Sequence, residues 1–393
     1  MRTVPLSAWV HELESGARPK GGIKDGVGEI PSLGAEHLAD DGGFNFAKDK
    51  RVPYEFFRTM KKGRIQHEDI LIVKDGATTG KISFVNRDFP YEEAAINEHV
   101  FRLKISRKKA DPRFVFRYLQ SPLGQQQIMS DFRGATVGGI GRTFLDKVFV
   151  PDVVISEQHR IAAILDKADA IRRKREGAIV LADKFLRSVF LEMFGDPTKA
   201  PSNFGTRPLG QLVDQKRGIS YGIVQRGVHD QDGIPIVRIT DIAGNVLRDT
   251  QLVRASKNLS SKYRRTILKG GELLLSIRGT VGRVAIAPST AKGYNVSREV
   301  AVIPLLPNVD PSFVRALMLT DGAQKFMTDN VKGVAQSGIN LKDVRLLPVP
   351  DAPPALLSRF LKVLAAADRI RKNSCEPAPL LESLSQRAFC GEL

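Results

Sequence analysis

SEQHRIAAILDKADAIRRKREGAIVLADKFLRSVFLEMFGD, residues 156–196, decides the fold, because it reads as one long helix in the middle of the chain. Ile161, Ile164, Ala168, Ile171, Arg175, Ala178, Ala182, Phe185 and Val189 succeed one another in alternating steps of three and four, with Arg175 the one break in type. That is the spacing of a coiled-coil seam. Ser156 can cap the start, Glu157 suits the positive end of the helix dipole, and Gly195 with Pro197 supplies the stop. Residues 157–194 would span about 57 Å at 1.5 Å per residue. An apolar stripe of that length needs a partner.

The partner lies at the C-terminus. RIAAILDKADAIRRK, from Arg160, aligns without a gap on RFLKVLAAADRIRK, from Arg359, at an offset of 199. Arg160, Leu165, Ala168, Asp169, Ile171 and Arg172 meet Arg359, Leu364, Ala367, Asp368, Ile370 and Arg371, and the same offset carries Phe190 to Phe389. So many identities in one register mark a tandem duplication. The expected seam pairs Ile161, Ile164, Ala168, Ile171, Phe185 and Val189 with Phe360, Val363, Ala367, Ile370, Leu381 and Leu384, two long helices holding two modules apart. Pro377 and Pro379 cannot sit inside an unbroken helix, so the second helix is expected to stop near Asn373 and restart before Leu380. Four segments follow: a module over 1–155, a helix over 156–196, a second module over 197–352 and a C-terminal helix over 353–393.

Both modules read as mixed short strands and helices. EDILIVKDGATTGKISFV, residues 68–85, is a strand, a turn on Gly76 to Gly80 and a second strand, answered by GELLLSIRGTVGRVAIAP, residues 271–288. Asp69 matches Glu272 and Gly76 matches Gly279. DPRFVFRYLQSPLG from Asp111 corresponds to DPSFVRALMLTDG from Asp310, and RGATVGGIGRTFLDKVFVPD from Arg133 to KGVAQSGINLKDVRLLPVPD from Lys332. One fold with unlike loops suggests two related tasks on two targets. The class is therefore α+β, a pseudo-twofold internal repeat of two α/β modules separated by long antiparallel coiled-coil helices.

A formal charge of +17 and a pI near 9.9 favour a polyanionic partner, and nucleic acid before membrane, since no apolar run approaches a span of about 18 residues. The N-terminus lacks the apolar core of a signal peptide, and Cys375 and Cys390, the only cysteines, fit no zinc pattern. The chain is expected in a reducing cytoplasm.

The chemistry that basic enzymes of nucleic acids use is missing from the sequence pattern. GATTGK, residues 76–81, imitates a phosphate-binding loop but has three residues between its glycines instead of four, and Ile82 stands where a magnesium-binding hydroxyl belongs. Gly138-Gly139-Ile140-Gly141 lacks the strand and later acid of a dinucleotide site. His11, His37, His67, His99, His159 and His229 are scattered, none at metal-ligand spacing. No methylase Asn-Pro-Pro-aromatic motif or nuclease cluster of acids is present, so the chain reads as non-catalytic.

Taken together, ISEQHRIAAILDKADAIRRKR, FLRSVFLEMFGDP, the two hairpins DILIVKDGATTGKISFV and ELLLSIRGTVGRVAI, and the closing AFCGEL resemble the specificity subunit of type I restriction-modification systems over nearly the whole chain. The resemblance implies two target recognition domains, each reading one half of a bipartite site in double-stranded DNA. It also implies two methyltransferase subunits as partners, and restriction/translocase subunits in the full complex. Cofactors are expected on those partners, S-adenosylmethionine and ATP with magnesium, and none on this chain. DNA contacts are then expected from Lys74, Thr78, Thr79, Lys81, Thr136 and Arg142 in the first module, and from Tyr221, Arg226, Arg278, Thr280, Arg283, Gln336, Ser337 and Asn340 in the second. Arg, Gln and Asn can pair bidentately with base edges, whereas Lys and Thr fix register on phosphate. Arg172-Arg173-Lys174-Arg175 reads as a solvated helix face or as a contact between half-sites. A stand-alone basic DNA-binding protein and an RNA or ribosome scaffold are the rival readings.

Overall fold

The computed structural model describes residues 2–22, 26–134, 138–199, 204–225, 230–248, 252–333, 337–374 and 377–392. The chain forms two compact units, one of Met1–Arg175 with Glu376–Leu393, the other of Glu176–Cys375. Neither long helical region is a unit of its own. Each is shared between the two, which departs from the four consecutive segments expected from sequence.

In the first unit, strand β1 (Val10–Ser15), helix α1 (Tyr54–Thr59), strands β2 (Ile70–Val73), β3 (Ile82–Phe84) and β4 (Val100–Ile105), and helix α2 (Pro112–Gln120) precede the long helix α3 (Ile155–Phe194). The strands make an antiparallel sheet in the order β1-β4-β2-β3, with Ile70 opposite Leu103 and Val73 opposite Val100. All four residues of β2 are buried because both faces of the strand are covered. Ile70 and Ile72 face the core shared with α2, and Leu71 and Val73 face a second core with Leu33, Ile96 and Val100.

The second unit repeats this plan. Strand β5 (Ser220–Tyr221), helix α4 (Lys257–Ser261), strands β6 (Leu273–Ser276), β7 (Val284–Ile286) and β8 (Val300–Ile303), and helix α5 (Pro311–Met318) lead to α6 (Pro354–Ser374) and α7 (Pro377–Cys390). The sheet order β5-β8-β6-β7, with Leu273 opposite Ile303 and Ser276 opposite Val300, matches the first. Helices α2 and α5 begin alike. Asp111 accepts the Arg113 N–H and Asp310 the Ser312 N–H, and a proline takes the first helical position of each, where no N–H is needed.

The helices close the cores crosswise. In the first unit Ile161, Ala162 and Leu165 of α3 join Ala388 and Phe389 of α7, and the Phe389 ring lies 5.6 Å from Phe114. In the second, Leu186, Phe190 and Phe194 of α3 join Phe360 and Leu364 of α6, and Phe190 lies 5.5 Å from Phe313. Phe190 also meets Phe360, and Asp183 meets Arg371, so α3 and α6 run antiparallel within that unit. Helix α6 ends at Ser374, and α7 opens with Pro377 and Pro379 in its first turn.

The expected seam is displaced. Ile171, Phe185 and Ile370 are 48%, 55% and 47% exposed, while Ile161, Phe360 and Ala367 are buried and Ile164, Ala168, Val189, Val363, Leu381 and Leu384 are half-buried. The deepest stripe on α3 is Ala162, Leu165 and Asp169 followed by Ala182, Leu186, Phe190 and Phe194. It turns the helix toward the module of each unit as well as toward a helix. A stripe recurring every 3.6 residues serves either neighbour.

Candidate nucleic-acid interface

Each sheet has one end where separate segments converge. In the first unit these are Ser15 at the end of β1, the turn of residues 74–81 after β2, and His99 before β4. The loop at Gly139 joins them, its backbone paired with that of Asp75. In the second unit the same places hold Tyr221, the turn of residues 277–283, Glu299 and Gly338, the last paired with Arg278. One contact fixes both ends. A Cβ on Gly16 would lie 1.8 Å from the carbonyl oxygen of Ile96, and a Cβ on Gly222 1.8 Å from that of Val296, so only glycine allows the edge strand to run so close.

The described residues expected to meet DNA collect here, but five of them are already engaged. Lys74 reaches Ser15 Oγ at 3.4 Å, Thr79 donates to the Gly76 carbonyl at 2.7 Å, Lys81 is ion-paired with Asp40 at 2.6 Å, and Arg142 donates to the Leu13 carbonyl at 3.0 Å. Thr78 is exposed. In the second unit Arg283 is tied to the carbonyls of Ile239 and Ile242, each at 3.2 Å, whereas Tyr221 is 44% exposed. Arg278 is half-buried, and Thr280, Ser337 and Asn340 are exposed. Thr136, Arg226 and Gln336 lie outside the described residues.

At the start of β2 and of β6, the strand ends away from the turns, a buried carboxylate is ion-paired. Arg102 holds Asp69 at 3.0 Å and Glu14 at 2.9 Å, with Glu12 beside them, and Arg217 holds Glu272 at 2.6 Å. Asp69 is fully buried, and that desolvation pushes its carboxyl up to about 6 against the pull of Arg102. Asp131 pins the glycine loop by accepting the Gly141 N–H at 2.9 Å. Its burial raises the carboxyl, but Lys147 at 2.7 Å, Gly141 and Thr143 outweigh that and hold it below the usual range.

Sequence reading passed over several neighbours. His99 lies 2.5 Å from Asp75, Arg18 lies 2.8 Å from Glu98, and exposed Lys61, Lys62, Lys262, Arg264 and Arg265 flank the two ends. The basic doublets sit at one offset in the two halves, a signal the repeat alone could have supplied. Among the described residues, no three His, Cys, Asp or Glu side chains could hold a metal ion, and no helix is long and apolar enough to cross a membrane.

The geometry defines an internally repeated α+β protein with two equivalent, basic-flanked sheet ends. Residues 10–179 match the family model of the type I restriction modification DNA specificity domain. The chain is 25% identical over 358 residues to the type I restriction enzyme EcoBI specificity subunit of Escherichia coli, covering 83% of this chain and 74% of that one. It is 20% identical over 271 residues to the MjaVIII specificity subunit of Methanocaldococcus jannaschii, covering 66% and 60%. A crystal structure of the type I restriction-modification S subunit from M. genitalium shares the fold, with a TM-score of 0.55 and 14% identity over 99% of this chain and 96% of that one. The chain is thus similar to type I specificity subunits over most of its length, and its residues 10–179 carry the match to the specificity-domain model.

Proposed function

We propose that the chain is the DNA specificity subunit of a type I restriction-modification system, each unit reading one half of a bipartite site in double-stranded DNA. The repetition carries this reading: two sheet ends of one geometry present different exposed side chains, Thr78 in one, Tyr221 and Thr280 in the other. A fixed scaffold with unlike turn residues suits two unlike half-sites. In this reading the chain makes and breaks no bond. It recruits two methyltransferase subunits, which supply S-adenosylmethionine, and restriction/translocase subunits, which supply ATP and magnesium, in the cytoplasm. The E. coli relative, a specificity subunit by name, supports the assignment.

Genome-wide methylation sequencing of cells carrying the chain with its methyltransferase tests it. A bipartite methylated motif that disappears on deletion of this chain is the expected result. DNA binding with no change in methylation would instead indicate a stand-alone nucleic-acid protein.

A further inference from the structure

Lys61 and Lys62 follow α1, and Arg264 and Arg265 follow α4, at the offset of 203 that also pairs Asp69 with Glu272. All four are exposed, as is Lys262. Among the described residues none of the five has a carboxylate partner, and Arg264 bonds only the Ser261 carbonyl at 3.3 Å. Two cations of the turns differ: Lys81 is paired with Asp40, and Arg283 is held by carbonyls.

The backbone beneath the doublets is held from below in both units. The Gly63 N–H donates to Glu14 at 2.8 Å, and Glu14 belongs to the Arg102 and Asp69 cluster. Arg217, paired with Glu272, donates to the carbonyls of Arg265 at 3.2 Å and Ile267 at 2.9 Å. Each doublet also adjoins its sheet end. A Cβ on Gly63 would come within 2.8 Å of Gly16 Cα, and in the second unit a groove of about 550 Å³ is lined by Ser220, Tyr221, Lys262, Tyr263, Arg264 and Arg265. Like charges fixed side by side raise each other's energy, and an anion laid across them recovers it.

We propose that Lys61 with Lys62, and Lys262 with Arg264 and Arg265, are two equivalent phosphate-contact sites that grip the DNA backbone beside the bases faced by each turn. The proposal rests on the DNA-reading function above. The sites supply affinity and register without choosing bases, because phosphates carry no sequence. The exposed Tyr221 face rims the second groove and separates phosphate contact from base contact there.

The test uses the full chain with its methyltransferase partner and a duplex carrying the methylated motif, titrated between 50 and 200 mM salt. Lys61→Gln with Lys62→Gln, and separately Arg264→Gln with Arg265→Gln, should each lower the slope of log affinity against log salt by about 2 and weaken binding roughly 30-fold at 0.15 M salt. The methylated motif should stay the same, and Lys61→Arg with Lys62→Arg should restore the parental slope. Parental slopes in both Gln pairs, or an altered motif, would overturn the proposal while leaving the DNA-reading function intact. Failure of the wild-type complex to bind the duplex would overturn both.

Discussion

Arg117 donates to the buried carboxylate of Asp169 at 3.1 Å, tying α2 to α3 in the first unit. Arg315 and Asp368 repeat the bond at 3.1 Å in the second, tying α5 to α6. Burial alone would raise Asp169, but Arg117, Arg172 and Arg173 outweigh it and hold the carboxyl below its ordinary value of 3.8. Its stabilising contribution is therefore full above that value and is lost as pH falls through the lowered one.

Asp169→Ala leaves Arg117 buried with only the partly exposed Asp166 as counter-ion, and should cost the first unit about 3 kcal/mol. Trp9, the sole tryptophan, lies in that unit's core and reports its unfolding in urea by fluorescence. Asp368→Ala should leave the Trp9 transition where it is. An equal shift in both variants would refute the assignment of these bonds to separate units.

The Asp69 carboxyl gives the opposite pH dependence. Raised in the fold to about 6, it stabilises most when protonated, fully below 3.8, and that contribution disappears as pH rises through 6. Asp69→Asn removes the titration. The stability of wild type relative to this variant should fall by on the order of 1 kcal/mol from pH 5 to pH 7, read from Trp9 midpoints. A difference that grows with pH would show that Arg102 governs Asp69 more strongly than burial does.

Phe389→Ala opens a cavity against Phe114 and Tyr118, with a cost of about 3 to 5 kcal/mol to the first unit. Phe190→Ala does the same to the second. Only the former should lower the Trp9 midpoint, and hydrogen exchange at Leu274 and Val302 should report the latter.

The purified chain should bind neither S-adenosylmethionine nor ATP. Isothermal calorimetry showing micromolar affinity for either would contradict the placement of those groups on partner subunits.

The repeat and its hairpins were legible because identities at one offset and short apolar runs bounded by glycine are local signals. The buried face of α3 was not, since Ile164 and Leu165 differ by one position in a stripe that fits two neighbours. The turn cations fall at the sheet ends, but their partnerships were not legible. Lys81 finds Asp40, and Arg283 finds Ile239, across some forty residues of chain that no local pattern connects. The basic doublets were readable in principle from the repeat and went unused, because their meaning depends on the Glu14 and Arg217 bonds that hold the backbone beneath them.

Phe190 and Phe389 stand at the same offset in the chain and seat against the same partner, Phe313 or Phe114, in opposite units. The two sockets are thus equivalent by position in the repeat. Their surroundings differ in detail, since Phe389 also meets Tyr118 whereas Phe190 also meets Phe194 and Phe360. The crosswise closure makes the first unit depend on the last residues of the chain, since Ala388 and Phe389 complete a core whose other buried members all precede Arg175.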